Sequence, residues 1–314
     1  MGCRVGVVRG PDLLRYSFPA PHPFSSARAR RFWEEVDERR LGTAGLAPQR
    51  ADEGALRLFH TKEHVESVKE TSASGAGYLD DGDTPAYPGI LEASEYVVGS
   101  TLDCVEKVFS GELDHAFNPV GGLHHARPNA SAGFCVFNDI GVSIEYLRKK
   151  GVGRVLYVDI DVHHGDGVYY PYEADAGVLI FDVHEDGRFL YPGTGGERET
   201  GTGRAAGTKL NLSLIPGTGD EALPAIHARL SAFASSFSPE FVLLQCGADC
   251  MAGDPLGGLR FSQEFHRTVA RSLHELSHQK CGGRVVAMGG GGYLPENCAS
   301  GWAAVVEELS RGSG

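Results

Sequence analysis

Seven short segments of the chain are rich in β-branched and other apolar residues, at 4–8, 116–119, 155–160, 178–183, 209–214, 241–246 and 284–288. Runs of this length without clean polar alternation predict strands buried on both faces. Between them, residues 25–40, 61–72, 91–109, 139–150, 220–236, 262–278 and 295–309 have helical character. Strands alternating with helices predict an α/β fold, in which a central parallel sheet of about eight strands carries helices on both faces. The Gly-, Asp- and Pro-rich residues 74–89 predict a long surface loop, and no linker or internal repeat divides residues 1–314, so one domain is expected.

In a parallel sheet, ligands bind outside the carboxyl ends of the strands. Three of the predicted strands end in unusual chemistry: one runs into Asp161, His163, His164 and Asp166, one into Asp249 and Asp254, and one into Gly289–Gly292 and Tyr293. Residues two apart on a strand share a face, so Asp159, Asp161 and His163 project together while Ile160 and Val162 pack the other way. That grouping fits either part of a metal site or a polar strand end closed by hydrogen bonds. Asp254, between Gly253 and Pro255, is expected to supply the missing ligand. Two carboxylates, one imidazole and an open position form a catalytic rather than a structural zinc arrangement. Their negative charge leaves a mild Lewis acid, which needs a protein base and an electrophile. His124–His125 offers the base, with Asp159 and Asp166 as partners fixing the tautomers. Tyr293, after four glycines, offers an oxyanion donor. The plainer alternatives are a pair of satisfied histidines and a loop-anchoring tyrosine.

Composition narrows the class. Glycine makes up 43 of 314 residues, gathered in loops where backbone must approach a ligand closely. With 41 acidic and 29 basic residues the net charge is -12, which disfavours nucleic acid and favours cationic partners. No apolar stretch reaches a membrane span or a signal peptide, and Gly6 breaks the myristoylation pattern. Seven cysteines without a C-x-x-C pair suggest reduced thiols and a cytoplasmic location, with Cys246 and Cys250 read as core residues rather than a metal pair.

The segments HPFSSAR, GDTPAYPG, GGLHHARP, AGFCVFNDI, VDIDVHHGDG, HEDGRFLYPGTG, GADCMAGDPLGG and GGGGY occur in this order from residue 22 to 293. The chain thereby resembles the arginase/deacetylase superfamily, specifically histone-deacetylase-like proteins of the bacterial acetoin-utilisation type. The resemblance implies zinc, or iron(II) in the cell, on Asp161, His163 and Asp254. It implies His125 as general base and acid, His124 as its electrostatic neighbour, Asp159 and Asp166 as their carboxylate partners, and Tyr293 as oxyanion donor. Phe134 and Tyr191 fall on the walls clasping an acyl-lysine stem, although the family usually has Phe at the second. Gly133 falls on a carbonyl for the substrate amide, and Asp83 on a rim acid gripping substrate backbone. A structural potassium ion is implied near Asp159, Asp161 and His163, where Asp182 replaces a hydroxyl side chain. Leu256 stands where polyamine-selective relatives place a carboxylate.

The expected reaction is therefore hydrolysis of an acyl-amine amide, on an acetylated lysine of a protein or peptide. The rivals are an acetylpolyamine amidohydrolase using a small acylated amine, a two-metal ureohydrolase, and a non-catalytic acyl-lysine reader.

Overall fold

The computed structural model describes residues 2–235 and 237–312. Among these, eight strands form one all-parallel sheet: β1 (Val5–Val8), β2 (Ala44–Leu46), β3 (His115–Asn118), β4 (Val155–Asp159), β5 (Val178–Glu185), β6 (Lys209–Leu214), β7 (Phe241–Gln245) and β8 (Val285–Met288). Their order is β2-β1-β3-β8-β7-β4-β5-β6. Every residue of β1, β3, β4, β5, β7 and β8 is buried, as expected of a sheet covered on both sides. The helices are α1 (Ala27–Glu38), α2 (Glu53–Leu56), α3 (Lys62–Ser74), α4 (Ile90–Phe109), α5 (Asp139–Lys149), α6 (Asp166–Tyr172), α7 (Leu223–Ser235), α8 (Gln263–Lys280) and α9 (Pro295–Leu309). All seven predicted strands and seven predicted helices are present, shifted by a few residues at their ends. The predicted last residue of the fifth predicted helix, Ser236, lies outside the described residues. Strand β2 and helices α2 and α6 were not predicted. Among the described residues, no helix is long and apolar enough to cross a membrane.

Packing explains the layers. Helix α4 lies against β1, β3 and β8, while α8 lies against β7 and β8 and packs on α9, which in turn packs on α1. The last residues of four adjacent strands, Asn118, Met288, Gln245 and Asp159, sit side by side in the register. Four loops therefore leave the middle of the sheet at one level, which is where the chemistry gathers. Cys246 and Cys250 are core residues, their thiols donating to Met288 O (3.1 Å) and Gly247 O (3.4 Å).

Several buried histidines are held neutral by this packing. His60 Nε2 accepts the Asn138 N–H at 2.8 Å, and its Nδ1 donates to Arg127 O at 3.1 Å. A second ring proton would confront the Asn138 donor. Burial and then His64 pull His60 down to about 3, and burial pulls His266 down to about 4. Both sit below the ordinary value, so the unfolded chain binds more protons than the native one once pH falls below about 6.5. Stability is then level above that pH and falls below it, by about 1.4 kcal/mol per pH unit for each such histidine. Denaturant unfolding of chelator-treated protein between pH 7.5 and 5 checks this; a stability that rises on acidification contradicts it.

Candidate active site

The loop after β3 carries Gly121–His125. Asp139, at the start of α5, accepts the N–H groups of Gly122 (3.0 Å) and Leu123 (2.9 Å), which fixes the turn presenting both histidines. His124 Nδ1 meets Asp159 Oδ2 at 2.8 Å, and His125 Nδ1 meets Asp166 Oδ1 at 2.7 Å. Tyr157 donates to Asp159, and Arg127 Nη2 donates to Asp166 at 3.0 Å. The two Nε2 atoms face one another at 3.0 Å. With each Nδ1 committed to a carboxylate, one proton between the two Nε2 atoms satisfies both.

The electrostatics divide the pair. Burial lowers the His124 imidazole, but Asp159 and Asp161 outweigh it and raise it to about 9. Burial and the neighbouring His124 lower His125 to about 4, with Asp166 acting against them. His124 is thus the proton holder and His125 the free acceptor; a cation bound beside Asp161 would lower both.

The loops after β4 and β7 bring Asp161, His163 and Asp249 together, one oxygen or nitrogen of each lying within 4.8 Å of the others. His163 Nδ1 is 3.0 Å from Asp161 Oδ1 and 3.3 Å from Asp249 Oδ2. A tetrahedral ion with bonds of about 2.0–2.2 Å spaces its ligand atoms about 3.3–3.5 Å apart, close to these separations. Asp249 Oδ2 is buried and makes no well-formed hydrogen bond, and burial with the neighbouring Asp161 pushes this carboxyl up to about 7. A divalent cation relieves both strains, so the residues fit a metal. Asp161 Oδ2 is meanwhile held by Gln245 Nε2 (2.7 Å) and the Gly291 N–H (2.8 Å).

Asp254 stands beside this group, close enough that its charge acts on Asp249 and that of Asp161 acts on it. Its Oδ2 accepts the N–H groups of Tyr293 (2.6 Å) and Leu294 (3.3 Å), and its Oδ1 accepts that of Leu256 (3.0 Å). Asp254 thus ties the Tyr293 loop to the Leu256 loop, and its Oδ1 keeps a lone pair for a cation.

These groups line a cavity of about 260 Å³ whose walls include Asp83, His124, His125, Gly133, Phe134, Asp161, His163, Tyr191, Leu256 and Tyr293. The rings of Phe134 and Tyr293 meet edge-on at 5.8 Å, as do those of His125 and Tyr191 at 5.0 Å. Phe134 has φ 68°, a strained left-handed backbone for a bulky residue. It is held there by Thr84 Oγ1 on its N–H (3.0 Å) and the Tyr16 hydroxyl on its carbonyl (2.6 Å). A Cβ on Gly133 would lie 2.5 Å from the His125 ring, so only glycine fits; its carbonyl accepts from the Cys135 thiol at 3.3 Å and retains a second lone pair. Asp83 is exposed at the mouth, where burial and then Asp80 push its carboxyl up to about 6. Asp182 is fully buried, accepting from the Gly165 N–H (2.9 Å) and paired with His184 Nδ1 (2.6 Å).

Sequence reasoning placed Asp249 at the strand end without giving it a role, and it missed Arg28. The Arg28 guanidinium is buried, donates to Gly290 O (3.1 Å) and Gly292 O (2.8 Å), and stacks 3.8 Å over the Phe24 ring. It anchors the glycine loop that presents Tyr293. The HPFSSAR segment was the only signal, and it carried no role for the arginine.

Comparisons with known proteins show the family. The histone deacetylase domain family matches residues 22–309. The chain is 37% identical over 296 residues to the acetoin utilization protein AcuC of Bacillus subtilis (strain 168), covering 91% of this chain and 76% of that protein. It is 31% identical over 301 residues to AcuC of Staphylococcus xylosus, covering 92% and 77%. Among solved structures, the crystal structure of the HDA15 HD domain superposes with a TM-score of 0.90 at 28% identity, covering 99% of this chain and 90% of that one.

Proposed function

Because the chain belongs to the histone deacetylase family, which supports a deacetylase acting as an amidohydrolase, we propose that it removes the acetyl group from N6-acetyl-lysine in a protein or peptide, using zinc held by Asp161, His163 and Asp254, with Asp249 beside them. The observation that carries this reading is the meeting, in one cavity, of Asp161 and His163 with a histidine pair whose Nε2 atoms converge. When bound, a divalent ion there supplies a Lewis acid for the acyl carbonyl and for water. Iron(II) suits the same three ligands.

The chain's own residues supply the rest. His125 Nε2, held neutral with its Nδ1 proton on Asp166, takes a proton from attacking water and returns it to the departing amine. His124, charged against Asp159, stabilises negative charge growing on the acyl carbon's oxygens. Tyr293, set by Asp254 and the Arg28-anchored loop, donates to the developing oxyanion. Phe134 and Tyr191 flank the lysine stem and keep water off it, Gly133 O accepts the substrate amide N–H, and Asp83 takes a backbone N–H at the rim. A potassium ion on the carbonyls around Asp159, Asp161 and His163 is supported by the buried Asp182 carboxylate behind them. Six buried cysteines with no disulfide among them support a reducing cytoplasm.

Removing the Tyr293 hydroxyl is expected to lower kcat by about 10²–10³-fold, the loss typical of one oxyanion donor. Metal content and KM should change little in Tyr293→Phe, and undiminished turnover would remove Tyr293 from the mechanism.

The acetylpolyamine reading is disfavoured by Leu256, an apolar side chain on the cavity wall. Turnover of acetyl-lysine peptides and of acetylated polyamines by zinc-loaded protein, with a chelator control, tests the proposal. Peptide turnover abolished by the chelator supports it, a preference for polyamines transfers the assignment to the small amine, and inertness on both points to an acyl-lysine reader.

A further inference from the structure

A second cluster of metal-binding side chains lies at the opposite edge of the sheet, at the amino ends of the strands. Cys3 stands just before β1, and His115 is the first residue of β3. His274 and His278 lie one turn apart on α8, an H-x3-H spacing that puts both rings on one helix face. One nitrogen or sulfur of each of the four lies within 4.8 Å of the others. Cys3 Sγ is 3.4 Å from His278 Nε2, and His274 Nδ1 is 3.2 Å from His115 Nε2.

We propose that Cys3, His115, His274 and His278 form a structural zinc site that fastens the N-terminal segment and α8 to the start of β3. Four protein ligands leave no open coordination position, which separates this site from the cavity at the other edge. Zinc bonds of about 2.0–2.1 Å to nitrogen and 2.3 Å to sulfur imply tetrahedral edges of about 3.3 Å between nitrogens and 3.6 Å between nitrogen and sulfur. The two close separations match those edges, and rotation of the side chains closes the longer ones. A thiolate with three imidazoles is a soft to borderline donor set that suits zinc rather than magnesium or calcium.

The alternative is a plain polar cluster of packed imidazoles. His115 is fully buried and His274 nearly so, and each ring also bonds to backbone, at Gly283 and Gly312 respectively. The nitrogens that face one another, His115 Nε2 and His274 Nδ1, are left for a shared ion. Three rings with centroids 4.5–5.4 Å apart repel one another when protonated. Neutral imidazole is the form in which histidine offers a lone pair to a metal. Neighbouring charges are modest: Asp114 borders His115, and Glu275 and Glu308 border His274.

Cobalt(II) substitution tests the assignment without relying on turnover. A thiolate ligand gives cobalt a charge-transfer band in the near ultraviolet, and the Asp–His–Asp cluster contains no thiol. Reduced, cobalt-loaded protein is expected to bind two equivalents and show this band. Cys3→Ser should lose the band and keep deacetylase activity, whereas Asp249→Asn should keep the band. His274→Asn, a second variant, should also lose it and bind one equivalent. The proposal is overturned by cobalt-loaded wild-type protein without the band, or by a band that persists in Cys3→Ser.

Discussion

Replacing Asp254 by asparagine is expected to lower kcat/KM by at least about 10³-fold, a loss of about 4 kcal/mol of transition-state stabilisation. The substitution is nearly isosteric, and its amide oxygen can still accept backbone N–H groups of the kind Asp254 receives from Tyr293, Leu294 and Leu256. What disappears is a charge beside Asp161 and Asp249. Metal at the cavity should therefore be lost along with activity. Asp249→Asn is the informative contrast: its amide oxygen can still accept the Val162 N–H that Asp249 Oδ1 receives at 3.0 Å, and it is expected to retain the metal, with activity reduced about 10–100-fold as for other residues that orient a metal site indirectly. Metal analysis of both variants separates ligand from positioning acid, and the reverse pattern would make Asp249 the third ligand.

His125→Ala is the second large effect, with an expected fall in kcat of about 10²–10⁴-fold, the range for loss of a positioned general base. Metal content should be preserved, because His125 Nδ1 faces Asp166 rather than the Asp–His–Asp cluster. His124→Ala should be less damaging at the proton-transfer step, since it removes a charge held by Asp159 and leaves the acceptor in place. The two variants are compared by single-turnover kinetics on an acetyl-lysine peptide. Equal kcat losses would mean that the pair acts as one proton-sharing unit across its 3.0 Å contact.

Much of this fold is readable along the chain because six of its eight strands are buried throughout, and burial on both faces writes itself as an apolar run. Strand β2 escapes because Ala44–Leu46 is a three-residue edge strand, two of its residues exposed. Helix α6 escapes because Gly165, Gly167 and Pro171 read as loop, and α2 because four residues carry no period. In the site, strand alternation groups Asp159, Asp161 and His163 but leaves open whether they hold a metal or close a strand end, and β4 itself stops at Asp159. Two acids, Asp249 and Asp254, follow β7, and local sequence does not say how each sits beside His163. Arg28, Gln245 and Asp139 act across 262, 84 and 17 residues of sequence respectively, and no local pattern announces such contacts.

The most direct test is reconstitution. Protein stripped of metal and then titrated with zinc is assayed on an acetyl-lysine peptide, alongside Asp254→Asn treated in the same way. The expected result is that stripped wild-type protein is inactive, that zinc restores its turnover, and that Asp254→Asn stays inactive at every zinc concentration. Turnover that survives stripping, or that zinc restores equally in Asp254→Asn, would contradict a metal-dependent deacetylase built on Asp161, His163 and Asp254.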